Sequence, residues 1–237
     1  MIILLPPSEG KAEGGLPRTS WNPAKGTTGR ALGPLRHEIA RVLARMGGGN
    51  QALLGVKGDH LARARRVNSA LIGSPTLPAW ERYTGVVWDH LDLGSFTPAA
   101  HARALSSILV PSGVTGLARA DDPVPDYRLK MGAALPGIGK VSAFWRDAAT
   151  DELVRLAGTA GVIDLLPQEH RGAFDWSRVP NVVRVDLVSR TGGTVGGHNA
   201  KAAKGLLARH LLTVRTGTTA ARVASFTHDG YSARIAG

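Results

Sequence analysis

The chain has 237 residues, 43% of them hydrophobic, and carries 29 Lys and Arg against 18 Asp and Glu, a formal charge of +11. That length buries a sizeable core in one large domain or two small ones, and the charge favours polyanions such as nucleic acid or anionic small molecules, with a plain solvated surface as the competing reading. It has no Cys, which excludes disulfides, thiolate nucleophiles and Cys-based zinc sites and fits a reducing, cytoplasmic location.

Gly and Pro together number 44, so elements are expected to be short and loops many. Ile2 to Leu5 reads as a buried central strand stopped by Pro6-Pro7, and the apolar start has neither a charged leader nor a cleavage site. Leu35, Ile39, Val42, Leu43 and Met46 recur at helical spacing before Gly47-Gly48-Gly49. Asp59 is expected to cap a helix with apolar positions at Leu61, Val67 and Leu71. Thr97-Pro98 opens another helix, Ser107 to Pro111 reads as a strand, and Ser142 to about Leu156 as a helix bearing Phe144 and Trp145. Gly161 to Leu166 and Val182 to Val188 are strand-like, Asn199 is placed to cap a helix reaching about Leu212, and a last strand is expected at Tyr231 to Ile235. The pattern predicts a mixed α/β (α+β) fold, with residues 1–237 as a single domain around a central mixed sheet flanked by helices. No apolar stretch reaches the roughly 18 residues of a membrane helix, so no membrane partner is expected.

Two segments resemble the glycine turn of a helix-hairpin-helix element, where a missing Cβ lets backbone N–H groups approach a phosphate. Leu53 to Asn68 has Gly55 and Gly58 in the turn and Lys57, Arg63, Arg65 and Arg66 around it; a plain helix connection is the competing reading. The second, Leu135 to Lys140, lacks a helix before it and reads as an ordinary proline-glycine loop. Between Leu187 and His228 there is no acidic residue, and Lys201 and Lys204 are expected to share a helix face opposite Leu206, Leu207 and Leu211. Thr191 to Thr194 lacks the spacing of a nucleotide-binding loop and reads as a hairpin turn.

Catalytic candidates lie where strands end. Asp164, Glu169 and His170 follow one, Ser8, Glu9 and Lys11 another, and Ser112-Gly113 a third. The Glu169-His170 pair is a candidate for acid-base work, with solvent-exposed polar residues as the competing reading because neighbours on a loop usually point apart. Neither serine sits in a nucleophile elbow. No pair of histidines has metal-ligand spacing, so neither a metal nor a cofactor is expected.

Several of these pieces, in this order, resemble the YaaA family of cytosolic proteins linked to peroxide stress. The likeness is carried by IILLPPSEGK with Ser8 and Lys11, by ERYTGVVWDHL with Tyr83 and Gly85, by PSGVTGLARADDPVPDYRLKMG with Ser112, Gly113, Gly116, Arg119, Tyr127, Arg128, Met131 and Gly132, by Phe144-Trp145, by Val162 to Leu165, and by AKAAKG ending at Gly205. It spans nearly the whole chain. The resemblance implies a mixed α/β domain of unusual fold, a basic cleft, and binding of duplex DNA through a helix-hairpin-helix element, in proteins thought to protect DNA and restrain iron under peroxide stress. Here that element falls at Leu53 to Asn68, with Gly55, Lys57 and Gly58 as phosphate contacts. The cleft draws on Lys11, Arg128, Lys201 and Lys204, with Ser8, Ser112, Arg119 and Tyr127 alongside; Tyr127 either stacks a base or packs.

The chain departs from the family pattern at Thr115 and near Asn199, where aromatic residues are expected, at Pro167, where a Ser is expected, and at His170, where a Tyr is expected. These changes leave open a diverged enzyme acting on an anionic nucleotide-like or purine-like small molecule, with Glu169, His170 and Lys201 as the candidates for acid-base and anion-binding roles. That enzyme would need a deep pocket holding Glu169, Arg128 and Lys201. A glycosylase-like lyase would need a lysine nucleophile beside the hairpin, a role for which Lys57 and Asp59 stand too close together.

Overall fold

The computed structural model describes residues 1–190, 197–214 and 216–236. In chain order its elements are β1 Ile2–Leu4, α1 Gly29–Arg45, α2 Gln51–Leu54, α3 Gly58–Ser69, β2 Thr76–Pro78, α4 Ala79–Arg82, α5 Val86–Leu91, α6 Pro98–Ser107, β3 Ile108–Ser112, β4 Gly116–Arg119, β5 Pro123–Pro125, β6 Ala134–Leu135, β7 Gly139–Lys140, α7 Val141–Ala157, β8 Val162–Asp164, α8 Gln168–Arg171, β9 Val182–Ser189, α9 Gly197–Thr213, α10 Thr219–Ala224 and β10 Tyr231–Ile235. The main sheet has the order β10-β9-β8-β1-β3-β4. Its four central strands are parallel, and β10 and β4 run antiparallel at the edges. The fold is therefore mixed α/β, as the sequence pattern predicts.

β1, β3 and β8 are buried at every position, the mark of parallel strands covered on both faces. One helix group, α1 with α3 and α7, and a second, α5 with α6 and α9, supply that cover. The second group is held close by glycine. A Cβ on Gly205 of α9 would lie 2.3 Å from the Val87 carbonyl oxygen of α5, so the two helices meet backbone to backbone. Trp145 of α7 reaches the other side, its Nε1 donating to the Gly113 carbonyl at 3.0 Å.

Several expectations are refined. Thr97 caps α6 by accepting from the Ala100 N–H, but the N-cap of α3 is Lys57 and Asp59 lies in that helix's first turn. Asn199 lies inside α9, which begins at Gly197. Leu206 faces solvent rather than the apolar side of α9. Leu135 to Lys140 forms the small β6–β7 hairpin. The turn expected at Thr191 to Thr194 lies outside the described residues. The Leu53 to Asn68 segment is a one-turn helix, a glycine turn and the longer α3. Among the described residues no helix is long and apolar enough to cross a membrane.

Candidate functional site

The chain leaves β1 toward β3 on one side and later places β8 on the other. β1 and β8 therefore flank a topological switch point, and the loops leaving their carboxyl ends diverge into a crevice where open α/β sheets bind ligands. Pro7 to Lys11 follow β1, and Glu169 and His170 follow β8. Both groups line one cavity of about 70 Å³ together with Tyr127 and Arg128. A second cavity of about 230 Å³ adjoins it, shares Glu9, Lys11, Tyr127 and Arg128, and extends to His60 and Arg63 of α3.

Lys11 stands between the two cavities. Its backbone forms an isolated antiparallel bridge with Tyr83, and Thr84 N–H donates to the Gly10 carbonyl at 3.3 Å. Gly85 has no Cβ to strike Ser8, which would lie 2.6 Å away. The ERYTG segment thus clamps the Ser8–Lys11 loop. The Lys11 ammonium donates to the Ser8 carbonyl at 2.8 Å and sits 4.2 Å from the centre of the Tyr127 ring and 5.7 Å from that of Tyr83. Burial pulls Lys11 down to about 7; Arg128 and Arg82 push the same way, and Asp126 and Glu9 oppose. Below the lysine the buried Tyr83 and Tyr127 hydroxyls meet at 2.9 Å. Burial pushes Tyr83 up to about 12 and Tyr127 well above the usual phenol range.

The walls are set by motifs far apart in sequence. Asn68 of α3 grips the backbone of Arg128, accepting from its N–H at 2.9 Å and donating to its carbonyl at 2.8 Å. Arg128 Nε donates to the Leu54 carbonyl at 3.0 Å, and its Nη2 reaches Glu9 at 2.9 Å; Lys130 lies 3.4 Å from the same carboxylate. Glu169 accepts from the Gly132 N–H at 2.8 Å. A side chain at residue 132 would meet Glu169 Oε1 at 3.0 Å, which gives the last glycine of YRLKMG its reason. His170 is held down to about 4 by burial, with Lys204 and Lys11 adding and Glu169 opposing, so its imidazole is neutral near pH 7. Among the described residues its Nδ1 is buried without a hydrogen-bond partner.

Other sequence candidates take different places. Ser112 is buried and its hydroxyl pairs with Thr115 at 2.8 Å, shaping the β3–β4 turn. Arg119 pairs with Asp121 at the β4 edge and lines neither cavity. Lys204 donates to the Leu165 carbonyl at 2.6 Å and is lowered to about 8 by burial, with Asp186 opposing. Lys201 is exposed on α9 and lines neither cavity, so the expected trio of Glu169, Arg128 and Lys201 is only partly assembled. Arg63 is spent on structure: it pairs with Asp126 and Glu13, each at 2.8 Å, and donates to the Lys11 carbonyl at 3.0 Å. Lys57, Arg65 and Arg66 stay exposed. Gly55 and Gly58 have φ of 64° and 57°, and no atom lies within 4 Å of where a Gly58 Cβ would be.

Sequence reading missed the clamp residues Arg82 and Asn68 and the pairing of Asp164 with Arg171. The signals were membership alone: Arg82 lies in the ERYTG motif, and Asn68 closes the Leu53 to Asn68 segment.

The family model described as Peroxide stress protein YaaA matches residues 1–236. The chain is 35% identical to the UPF0246 protein of Streptomyces coelicolor over 91% of this chain and 84% of that one. It is likewise 35% identical to the UPF0246 protein of Corynebacterium efficiens, over 94% of this chain and 90% of that one. A Corynebacterium glutamicum UPF0246 protein is 32% identical over 89% and 84%.

Proposed function

The chain belongs to the peroxide stress protein YaaA family, and on that premise we propose that it binds duplex DNA in the cytoplasm, seating a phosphate on the Gly55–Gly58 turn and laying the strand across the Lys11 crevice. The observation that carries this reading is the tie between turn and crevice: Arg128 donates to the Leu54 carbonyl, the residue before the turn, and itself lines both cavities. The turn is open, with two left-handed glycines and an exposed Lys57 between them. Backbone N–H groups at the start of α3, with a lysine beside them, suit a phosphate oxygen. The unbalanced charge of +11 supplies the longer-range attraction.

The test is fluorescence anisotropy with plain, gapped and single-stranded DNA over a series of salt concentrations. Binding weakens steeply with salt, and Lys57→Ala makes the log–log slope shallower by about 1 while plain and gapped duplex keep their ranking. If no DNA binds even at low salt, the reading fails. A second reading, an enzyme acting on a nucleotide-like small molecule, draws on the place of the crevice at the strand ends. It predicts that a nucleoside monophosphate protects Lys11 from acetylation while DNA does not.

A further inference from the structure

The crevice holds an amine in an unusual setting. Lys11 makes one hydrogen bond among the described residues, to the Ser8 carbonyl. Its ammonium otherwise sits over the Tyr127 ring, and the residue lines both cavities. A lysine placed only to hold the loop would have its N–H groups filled, and one placed only to bind phosphate would stand in solvent, fully charged. Lys11 does neither. Burial brings it to about 7, so a large fraction is the free amine at neutral pH, the form that attacks carbonyl carbon. The cavity that Lys11 lines also presents Glu169 and the neutral His170, whose Nδ1 lacks a partner among the described residues. Arg128 and Lys130 stand at its rim.

We propose that Lys11 is a nucleophile that forms an imine with an aldehyde carried on a phosphorylated sugar, held with its carbonyl over the Tyr127 ring and its phosphate against Arg128 and Lys130. This deepens the DNA reading and rests on its assignment of the crevice as a phosphate-binding face. The Nζ lone pair adds to the aldehyde carbon, a C–N bond forms, and the carbonyl π pair moves to oxygen. The C–O bond then breaks, and the oxygen leaves as water carrying the two hydrogens that were on the amine, giving the C=N bond with no oxidant or reductant consumed. Glu169 and His170 line the same cavity and relay those protons. Glu9 holds Arg128 and Lys130 at the crevice. It is exposed, so an arriving phosphate takes its place without leaving a buried charge unpaired.

The chemistry fits two sources, an abasic site within a DNA strand or a free aldose phosphate, and the experiment separates them. Wild-type protein is incubated at pH 7.5 with sodium cyanoborohydride and either a duplex holding one abasic site or 2-deoxyribose 5-phosphate. Reduction fixes the imine as a secondary amine, which is read by intact mass and mapped by peptide sequencing. A single adduct on Lys11, lost at least tenfold in Lys11→Met and retained in Lys25→Ala, which changes an exposed lysine that lines neither cavity, is the expected result. Adduct with the abasic duplex alone assigns the strand as source; adduct with the sugar phosphate alone, in a protein that also fails to bind plain duplex, keeps the imine and removes the DNA reading. Absence of adduct with both probes, or an adduct mapped to another lysine or the N-terminus, overturns the proposal even where anisotropy registers DNA binding. Thermal melting of Lys11→Met shows whether the variant is folded, and mapping on wild-type protein decides the question if it is not.

Discussion

Two cations, one fully buried and one half-buried, show how differently one fold uses them. Arg36 of α1 is 3% exposed and fills every guanidinium N–H: Nε donates to Thr115, Nη1 to the Pro23 and Lys25 carbonyls, and Nη2 to the Thr28 hydroxyl and the Leu117 carbonyl. Burial lowers it to about 10, with Asp122 opposing, and it remains charged at any physiological pH. It is a rivet joining α1 and the chain before it to the β3–β4 turn. Lys11 is also drawn down by burial, yet among the described residues it uses one hydrogen bond where Arg36 uses five. Withdrawal of charge from water therefore does not mark a site by itself. Unfilled donors beside a cavity do, since a buried polar group left short of partners is kept for something other than stability.

The sharpest break of this comparison is Arg36→Met. It strands several buried oxygens at once, and the expected loss is roughly 3–5 kcal/mol in urea unfolding. A loss below about 1 kcal/mol would make Arg36 no rivet. Lys11→Met moves the other way. The folded protein resists protonating Lys11 above about 7, while the unfolded chain does so up to the ordinary lysine range. The unfolded state thus binds more protons between those limits, and wild-type stability climbs with pH across that window. The variant's advantage is fully present below about pH 7 and closes as pH rises toward the ordinary lysine pKa. It is read as a higher Tm at pH 6, about 2–4 °C for each kcal/mol gained.

A smaller effect tests the other wall. His170 stays neutral down to about 4 in the folded protein, whereas the unfolded chain protonates near 6.5. Wild-type stability is therefore lost as pH falls from about 6.5 to 4. Replacing His170 by Gln flattens that acid limb in a Tm-versus-pH profile and leaves the region above pH 7 unchanged; Glu169, Lys11 and Lys204 are the charges facing it and are kept. An unflattened limb would mean that the imidazole is as wet as in the unfolded chain.

The frame of the molecule was legible because its signals are local. Ile2–Leu4, the Leu35–Met46 spacing and the Thr97-Pro98 cap each state an element within a few residues. Ser8, Lys11, Glu169 and His170 were legible as a class, since strand ends carry function in α/β sheets. What the chain could not state locally is which ends meet. The neighbourhood of β1 and β8 is set by parallel pairing across the whole chain, and the tie from Asn68 to Arg128 crosses from α3 to the YRLKMG segment. For the same reason Lys201 and Arg119 looked equivalent to Lys11 in sequence. Charge and motif membership are one-dimensional, whereas burial against Tyr127 is a property of packing.

The finest test concerns the rim. Glu9 binds Arg128 and Lys130 at the crevice, and the proposed phosphate must displace it. Pairs this exposed contribute only about 0.2–1 kcal/mol, so removing the carboxylate leaves folding almost untouched and acts on ligand binding instead. Glu9→Gln frees both cations and removes a negative charge from the path of the phosphate. The expected gain is about two- to fivefold in affinity for duplex DNA at low salt, shrinking toward nothing as ionic strength shortens the Debye length to roughly 8 Å. Weaker binding in Glu9→Gln would mean that Glu9 orients Arg128 for the ligand rather than competing with it. The rim would then be a preorganised clamp, and the contrast with Arg36 would narrow to Lys11 alone.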